Sequence, residues 1–488
     1  MRQTLPIQIP ISAETDPFAI APTRHKKNYP LRVLLIGSAA ILFGLIGGII
    51  AGVEVEGLMS ALISAITILV ATIVMTIYWP IFDLRTFRIP GVFVITQAIL
   101  IVMPIPMVYV NNSSDQRITY VLATCMGLLC TILGIVLTHY AFPSHRQRAT
   151  HWLAAPIHLS PILRPIAIVL LVGCLGVLLL YVRHVGSLPI VQAISGGSSA
   201  FELALAREDA LKLISGKIRY LFGSTRNMLF PYTTLLILSI TFTTRRWFWK
   251  ILLFVSALGT LMFASATLEK SPVGAFFIML MVAIMILRRK KLSFSTLPLL
   301  AIAALIFPVF VVMALYQFDI DAYRIVAALS RRIFYVPSEV LFYYFDFVPN
   351  QQFFLFGRTL PYVSKLFPNG PFPIVTIVCQ YAYQSSLTSC SANAAYLGTL
   401  WADFSWLGIF AGGLLAGVLI QGLQIFTMRL PKSPQTVALQ SMLVYQVIML
   451  TSASLPDFLE STGALYAFIL TCAISLIAHK PNLHHTPE

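Results

Sequence analysis

Charge is scarce in this sequence: 10% of its 488 residues are Asp, Glu, Lys or Arg, while 58% are apolar. Soluble globular domains carry about 25% charged residues, so a fold surrounded by water is excluded. Acids are scarcer than bases, 18 against 33. Cysteine is scarce as well, and none of the six sits in a C-x-x-C pair, which excludes the common zinc and thioredoxin-like motifs. The first 30 residues lack the short apolar core and small-residue cleavage site of a secretory signal. The long apolar runs show no period-two alternation, so the signature of a membrane β-barrel is missing too.

What is present is apolar length. Runs of about 18 or more residues, enough to cross a ~30 Å hydrocarbon layer, recur along the chain. Backbone inside lipid must satisfy its own hydrogen bonds. The expected fold class is therefore all-α, a polytopic integral membrane protein of about 12 transmembrane helices. The spans read as 31–53, 58–82, 91–110, 119–142, 165–182, 228–244, 248–267, 272–288, 293–316, 404–428, 436–453 and 462–478. Residues 1–30 and 479–488 are then tails, and 31–478 form the transmembrane domain.

The bases orient this bundle. With both termini cytoplasmic, the inner segments hold about 20 of the 33 bases and only about 4 of the 18 acids, as the positive-inside rule requires. The net charge of +15 is thus a topology signal. The bases are scattered over short inner loops and form no single patch, so nucleic acid is not an expected partner. Cys125, Cys130, Cys174 and Cys472 fall inside spans as packing residues. Cys379 and Cys390 both fall outside, where oxidation is permitted, and the sequence leaves the bridged and the free state equally open.

Two outer connections are long, 183–227 and 317–403, and ordered loops of that length usually carry structure or function. In the first, FELALAREDALKLI has the spacing of a surface helix. In the second, AYRIVAALSRRIF reads as an amphipathic helix that Pro337 ends or kinks, and VLFYYF reads as an aromatic anchor at the membrane interface. Both loops are rich in arginine. A guanidinium offers a fixed fork of donors to an anion with several oxygens, above all a diphosphate. Candidates for that role are Arg331 and Arg332, then Arg207, Lys217, Arg219, Arg226 and Arg324. The competing reading pairs these bases with Glu202, Glu208, Asp209, Glu339 and Asp346.

Four stretches carry a resemblance: GSLP at 186–189, EKSP at 269–272, RRIFYVP at 331–337 and NAAYLGTLWADFSWLG at 393–408. In this order the chain resembles the Wzy-type O-antigen and oligosaccharide repeat-unit polymerases. The pattern departs at Ser405, where many relatives carry glycine after the Asp-Phe pair, and in the spacing from Arg207 to Gly216. The resemblance implies a GT-C-like bundle in the bacterial inner membrane that needs no cofactor and no metal. Its substrate would be polyprenyl-diphosphate-linked oligosaccharide, and its partners membrane lipids with a chain-length regulator and a flippase of the same pathway. Arginines would stabilise the departing diphosphate, while His184, Glu339 or Asp403 would activate the acceptor hydroxyl. DID at 319–321 and ED at 208–209 are too sparse to read as a cation site. A flippase or exporter of the same lipid and an O-antigen ligase are the rival readings. Gly408, Gly412, Gly413, Gly417 and Gly422 place small-residue spacings on one span, which permits close helix packing.

Overall fold

The computed structural model describes residues 55–142, 152–185, 216–266, 270–289, 322–384 and 390–478. All regular structure among them is helical. In chain order, α1 spans Val55–Ile77, α2 Ile89–Asn111, α3 Arg117–Ala141 and α4 Leu163–Val185. Next come α5 (Gly216–Ser224), α6 (Phe230–Thr244), α7 (Trp247–Ser265) and α8 (Lys270–Leu287). The second long connection holds α9 (Ala322–Ser330), α10 (Val336–Asn350) and α11 (Ile374–Tyr383). Then follow α12 (Tyr396–Leu407), α13 (Gly413–Arg429), α14 (Pro434–Met449), α15 (Leu455–Leu459) and α16 (Ala464–Ala478). The expected spans 31–53 and 293–316, both tails, GSLP, the expected helix at 201–214, Glu202, Arg207, Glu208, Asp209 and DID at 319–321 lie outside the described residues.

Seven helical stretches among the described residues are long and apolar enough to cross a membrane, so the chain is membrane-embedded and, over the described residues, all-helical. Their apolar side chains face outward as well as inward: Val169, Val172 and Leu179 on α4 are each more than 60% exposed. In water such a surface would be unstable. Against lipid tails it needs no cover.

Two expected spans have a different character. α6, which continues the helix that runs from Gly216 through the turn at Thr225–Leu229, and α14, 16 residues long, form the inside of the bundle. Every residue from Pro434 to Val444 is buried, packed by α2, α6, α8 and α16. A buried helix of this kind has no face to spare for water, so its polar groups must find partners within the protein. The Gln440 Nε2 donates to the Phe87 carbonyl at 2.9 Å, and Gln424 Oε1 on α13 accepts from the Ile89 N–H at 2.7 Å. These side-chain amides complete the backbone where α2 begins.

Proline sets a second recurring feature. A proline in a helix removes one donor and clashes with the carbonyl four residues earlier. Pro104, Pro231 and Pro337 would strike the carbonyls of Leu100, Asn227 and Ile333, and each of those residues is the centre of a π-helical turn, at Ala98–Val102, Thr225–Leu229 and Arg331–Tyr335. The backbone widens by one residue where the ring needs room. Pro337 therefore neither ends nor sharply breaks the helix. It lies in the first turn of α10, and the chain stays helical from Ala322 to Phe347, up to a kink at Val348.

The aromatic run of α10 corrects an expectation. VLFYYF is not an interfacial belt: Val340, Leu341, Phe342, Tyr344 and Phe345 are all 5% exposed or less. Phe345 stacks on Trp401 of α12 with ring centroids 4.6 Å apart, and Phe342 meets Tyr120 of α3 edge-on at 5.5 Å. The Tyr344 hydroxyl donates to the Ala392 carbonyl at 2.9 Å. Nearby, Cys379 and Cys390 are joined in a disulfide, with Cα atoms 5.7 Å apart, tying α11 to the segment that enters α12.

The most extensive helix pair is α3 against α13. Here the glycine spacing acts within the chain. Gly417 lies against Gly134, and a Cβ at Gly417 would overlap the Thr131 carbonyl oxygen and come within 2.9 Å of the Gly134 Cα. The obstacle is backbone, which cannot rotate away as a side chain can. Gly417→Val should therefore destabilise the protein by on the order of 3 kcal/mol or more, read as the thermal unfolding midpoint in detergent. Gly422→Ala, where nothing lies within 4 Å, should leave that midpoint unchanged or slightly raised.

Candidate functional site

The proline-induced turn at Thr225–Leu229 presents Arg226 and Asn227 to a cavity of about 320 Å³. Several distant segments meet there. Ser271 and Pro272 come from the start of α8, Asn393 from the approach to α12, Tyr445 from α14, and Asp457, Ser461 and Thr462 from α15 and the loop after it. Three stretches singled out in the sequence thus converge on one hollow: the end of the first arginine-rich connection, EKSP, and the start of NAAYLG.

Asp457 is held rather than loose. Ser454 caps α15 by accepting from the Asp457 N–H at 3.2 Å, and its hydroxyl donates back to Asp457 Oδ2 at 2.7 Å. The Ser461 hydroxyl donates to Oδ1 at 3.2 Å. Gln446 Nε2 of α14 donates to the Thr462 carbonyl at 2.8 Å, fixing the loop from below. That loop turns at Gly463 (φ 84°), where any Cβ would collide with Met228 on the arginine-bearing turn. The loop after the carboxylate and the arginine turn therefore pack closely, Gly463 against the Met228 side chain. Arg226 Nε itself donates to Asn227 Oδ1 at 3.1 Å.

The cavity's chemistry is mixed in a specific way. It offers a guanidinium, a carboxylate, two carboxamides and several hydroxyls over a floor that includes Ala275, Met279 and Met449. Hydroxyls and carboxamides match the hydrogen-bonding edge of a sugar, and a guanidinium matches a phosphate. Its volume lies at the small end of the ligand-site range.

Arg331 and Arg332 do not line this cavity. They occupy the widened turn before α10, and Arg331 Nη2 lies 3.2 Å from Glu339 Oε1 and 3.3 Å from Oε2. Glu339 is 7% exposed, and burial holds its carboxyl above the usual carboxylate range while the Arg331 guanidinium pulls it back down. Arg331 also sits over the Tyr335 ring at 5.4 Å. Arg332 is exposed and makes no ion pair among the described residues. The paired reading therefore holds for Arg331, and Arg332 is the freer charge of the two.

The remaining expected residues separate. His184 ends α4 exposed, with Nδ1 2.9 Å from the Leu180 carbonyl of its own helix and its ring edge-on to Phe222. Arg219 is exposed on α5. Lys217 lies on α5 and Arg324 on α9, with their side chains outside the described set. Among the described residues, no three His, Cys, Asp or Glu side chains cluster together.

The expected span 404–428 leaves Asp403 just outside a helix, but the helix begins seven residues before it, at Tyr396. Asp403 is buried inside it, accepting from the Thr359 N–H at 3.3 Å and from the Thr359 hydroxyl. The same strip pairs backbone with the helix end: Leu355 N–H donates to the Ala402 carbonyl at 2.9 Å, and Phe356 N–H to the Asp403 carbonyl at 3.0 Å. Asp403 is a clamp for the loop after α10. Asp457 is a carboxylate of this cavity that the sequence alone does not single out. Its only signal was Ser-Leu-Pro-Asp, the capping pattern of a short helix.

No protein-family model, curated protein or solved structure matches this chain.

Just past Asp403 the backbone turns back at Ser405 with φ 53° and ψ −138°, a combination that favours glycine. Ser405→Gly should relieve more strain than it adds in unfolded-chain entropy, raising stability by about 1 kcal/mol. Thermal unfolding of the purified variant measures this, with Ser405→Ala giving no gain.

Proposed function

We propose that this chain is a repeat-unit polymerase of the Wzy type, joining oligosaccharides carried on polyprenyl diphosphate at the outer face of the bacterial inner membrane. The observation that supports it is the meeting of Arg226, Ser271, Asn393 and Asp457 around one cavity. They are far apart in sequence and come from four separate segments.

In this reading the growing chain binds with its diphosphate toward Arg226 and its terminal sugar among Asn227, Asn393 and Ser461. The hydroxyl oxygen of the incoming unit attacks the anomeric carbon, and the bond from that carbon to the diphosphate oxygen breaks. The hydroxyl proton passes to the Asp457 carboxylate, which Ser454 and Ser461 hold in place. Negative charge gathers on the leaving diphosphate, and a pre-positioned guanidinium stabilises it by about 3–4 kcal/mol. The acceptor also rides on a diphosphate, so the reaction needs a second anion-binding element. Arg332, beside the Arg331–Glu339 pair, fills that place.

One observation favours a second reading. Proline-widened helices beside a polar cavity are also a device of carriers, so a flippase or exporter of the same lipid uses the same features differently. An O-antigen ligase would share the donor and differ in the acceptor.

Replacing Arg226 with Gln in the native host should leave protein abundance unchanged and lower polymer by about 10²- to 10³-fold, the ladder of surface glycan collapsing to a single repeat unit. Asp457→Asn should do the same. Polymer stranded on the polyprenyl carrier would indicate a ligase. Loss of all outer-face glycan, with precursor accumulating at the inner face, would make the chain a carrier and sink the polymerase.

A further inference from the structure

A second cavity, of about 500 Å³, opens among Ile157, Phe242, Thr243, Leu287, Arg288 and Arg289, where α6 and α8 both end. Its composition is unlike that of the first. The wall is apolar, and the polar contribution is dominated by two adjacent guanidiniums. Both arginines are exposed, and neither makes an ion pair among the described residues. Lys290 and Lys291 continue the basic run.

Behind this cavity lies an unusual cation. Lys432, between α13 and α14, is 2% exposed, with Nζ donating to the Leu153 carbonyl at 2.6 Å and to the Ile286 carbonyl at 3.2 Å. Trp152 covers it at 5.7 Å. Two of its three donors are served by these carbonyls, but no carboxylate among the described residues balances its charge. Burial, and then the neighbouring Arg289, pull the Lys432 ammonium down to about 8. Three cations gathered without an acid are mutually repulsive, and an arrangement of this kind is stabilised when an anion joins it.

We propose that this cavity is a binding site for the phosphate headgroup of an anionic membrane lipid, with Arg288 and Arg289 holding the phosphate and Phe242, Leu287 and Ile157 lying along the acyl chain. The apolar wall is what selects a lipid over a free anion. A soluble phosphate gains nothing from Phe242 or Leu287, whereas an acyl chain in contact with them continues the apolar surface of the helices above. The placement fits basic pockets between membrane helices, which recognise anionic headgroups. The site shares no residue with the cavity around Arg226, so it stands whether or not the chain is a polymerase.

The test is thermal unfolding of the full chain in zwitterionic detergent, with phosphatidylglycerol, phosphatidylcholine or inorganic phosphate added. Phosphatidylglycerol should raise the wild-type midpoint by several degrees and phosphatidylcholine should not. Arg288→Gln with Arg289→Gln should remove most of that shift. Thr243→Glu is a second variant at an exposed position on the lining; it should remove the shift by placing a carboxylate in the site. An equal response to phosphatidylglycerol in wild type and both variants would overturn the site. Inorganic phosphate at millimolar concentration reproducing the full wild-type shift would overturn the lipid assignment.

Discussion

A backbone N–H or carbonyl without a partner costs several kcal/mol in an apolar surrounding, and that constraint governs this bundle more than any single contact does. Prolines would violate it, so the helices widen at Leu100, Asn227 and Ile333. Widening leaves carbonyls to be served, and the Ser338 hydroxyl reaches across from α10 to the Ile101 carbonyl at 2.7 Å while itself meeting the Tyr120 hydroxyl. Gln424 and Gln440 do similar work at the start of α2, and Lys432 does it for two carbonyls at the far end of the chain's core. The buried polar residues of this protein are mostly answers to backbone demands. Arg226 and Asp457 are not among them: both reach the cavity they line, Asp457 exposed and Arg226 partly buried.

The same logic sorts the ionisable residues. Arg331 is balanced by a nearly buried Glu339, an arrangement that holds a turn in shape. Asp403 is consumed by Thr359 and clamps a loop. His184 bonds to its own helix. Each has a structural partner at hydrogen-bonding distance, whereas Asp457 is steadied by two serines and still faces open space. A group that is oriented yet still accessible is what proton transfer requires.

Much of the fold was legible because length and hydropathy are one-dimensional properties. The helices at 89–111, 117–141, 163–185 and 247–265 fall within a few residues of their expected bounds. The glycine spacing on α13 also kept its meaning, since a close helix crossing needs small residues wherever it occurs. Other parts were hidden for physical reasons. VLFYYF would look the same facing lipid headgroups or packed on Trp401, because aromatic side chains suit both places. The start of α12 was obscured by Thr399, whose hydroxyl bonds back to the Tyr396 carbonyl of its own helix, and by Asp403, whose charge is absorbed by a contact with Thr359 that only the tertiary structure reveals. Asp457 was overlooked because a five-residue helix leaves no periodicity to read.

A π-helical turn is an α-helix with one residue inserted. Each of the three proline-linked turns therefore divides a helix into halves whose faces are offset by about 100° from where an uninterrupted α-helix would put them. Arg226 and Arg332 owe their directions to that offset. The three positions act as molecular phase shifts: in related chains that lost the proline together with one residue of the turn, the helix would remain, while the arginine would point elsewhere.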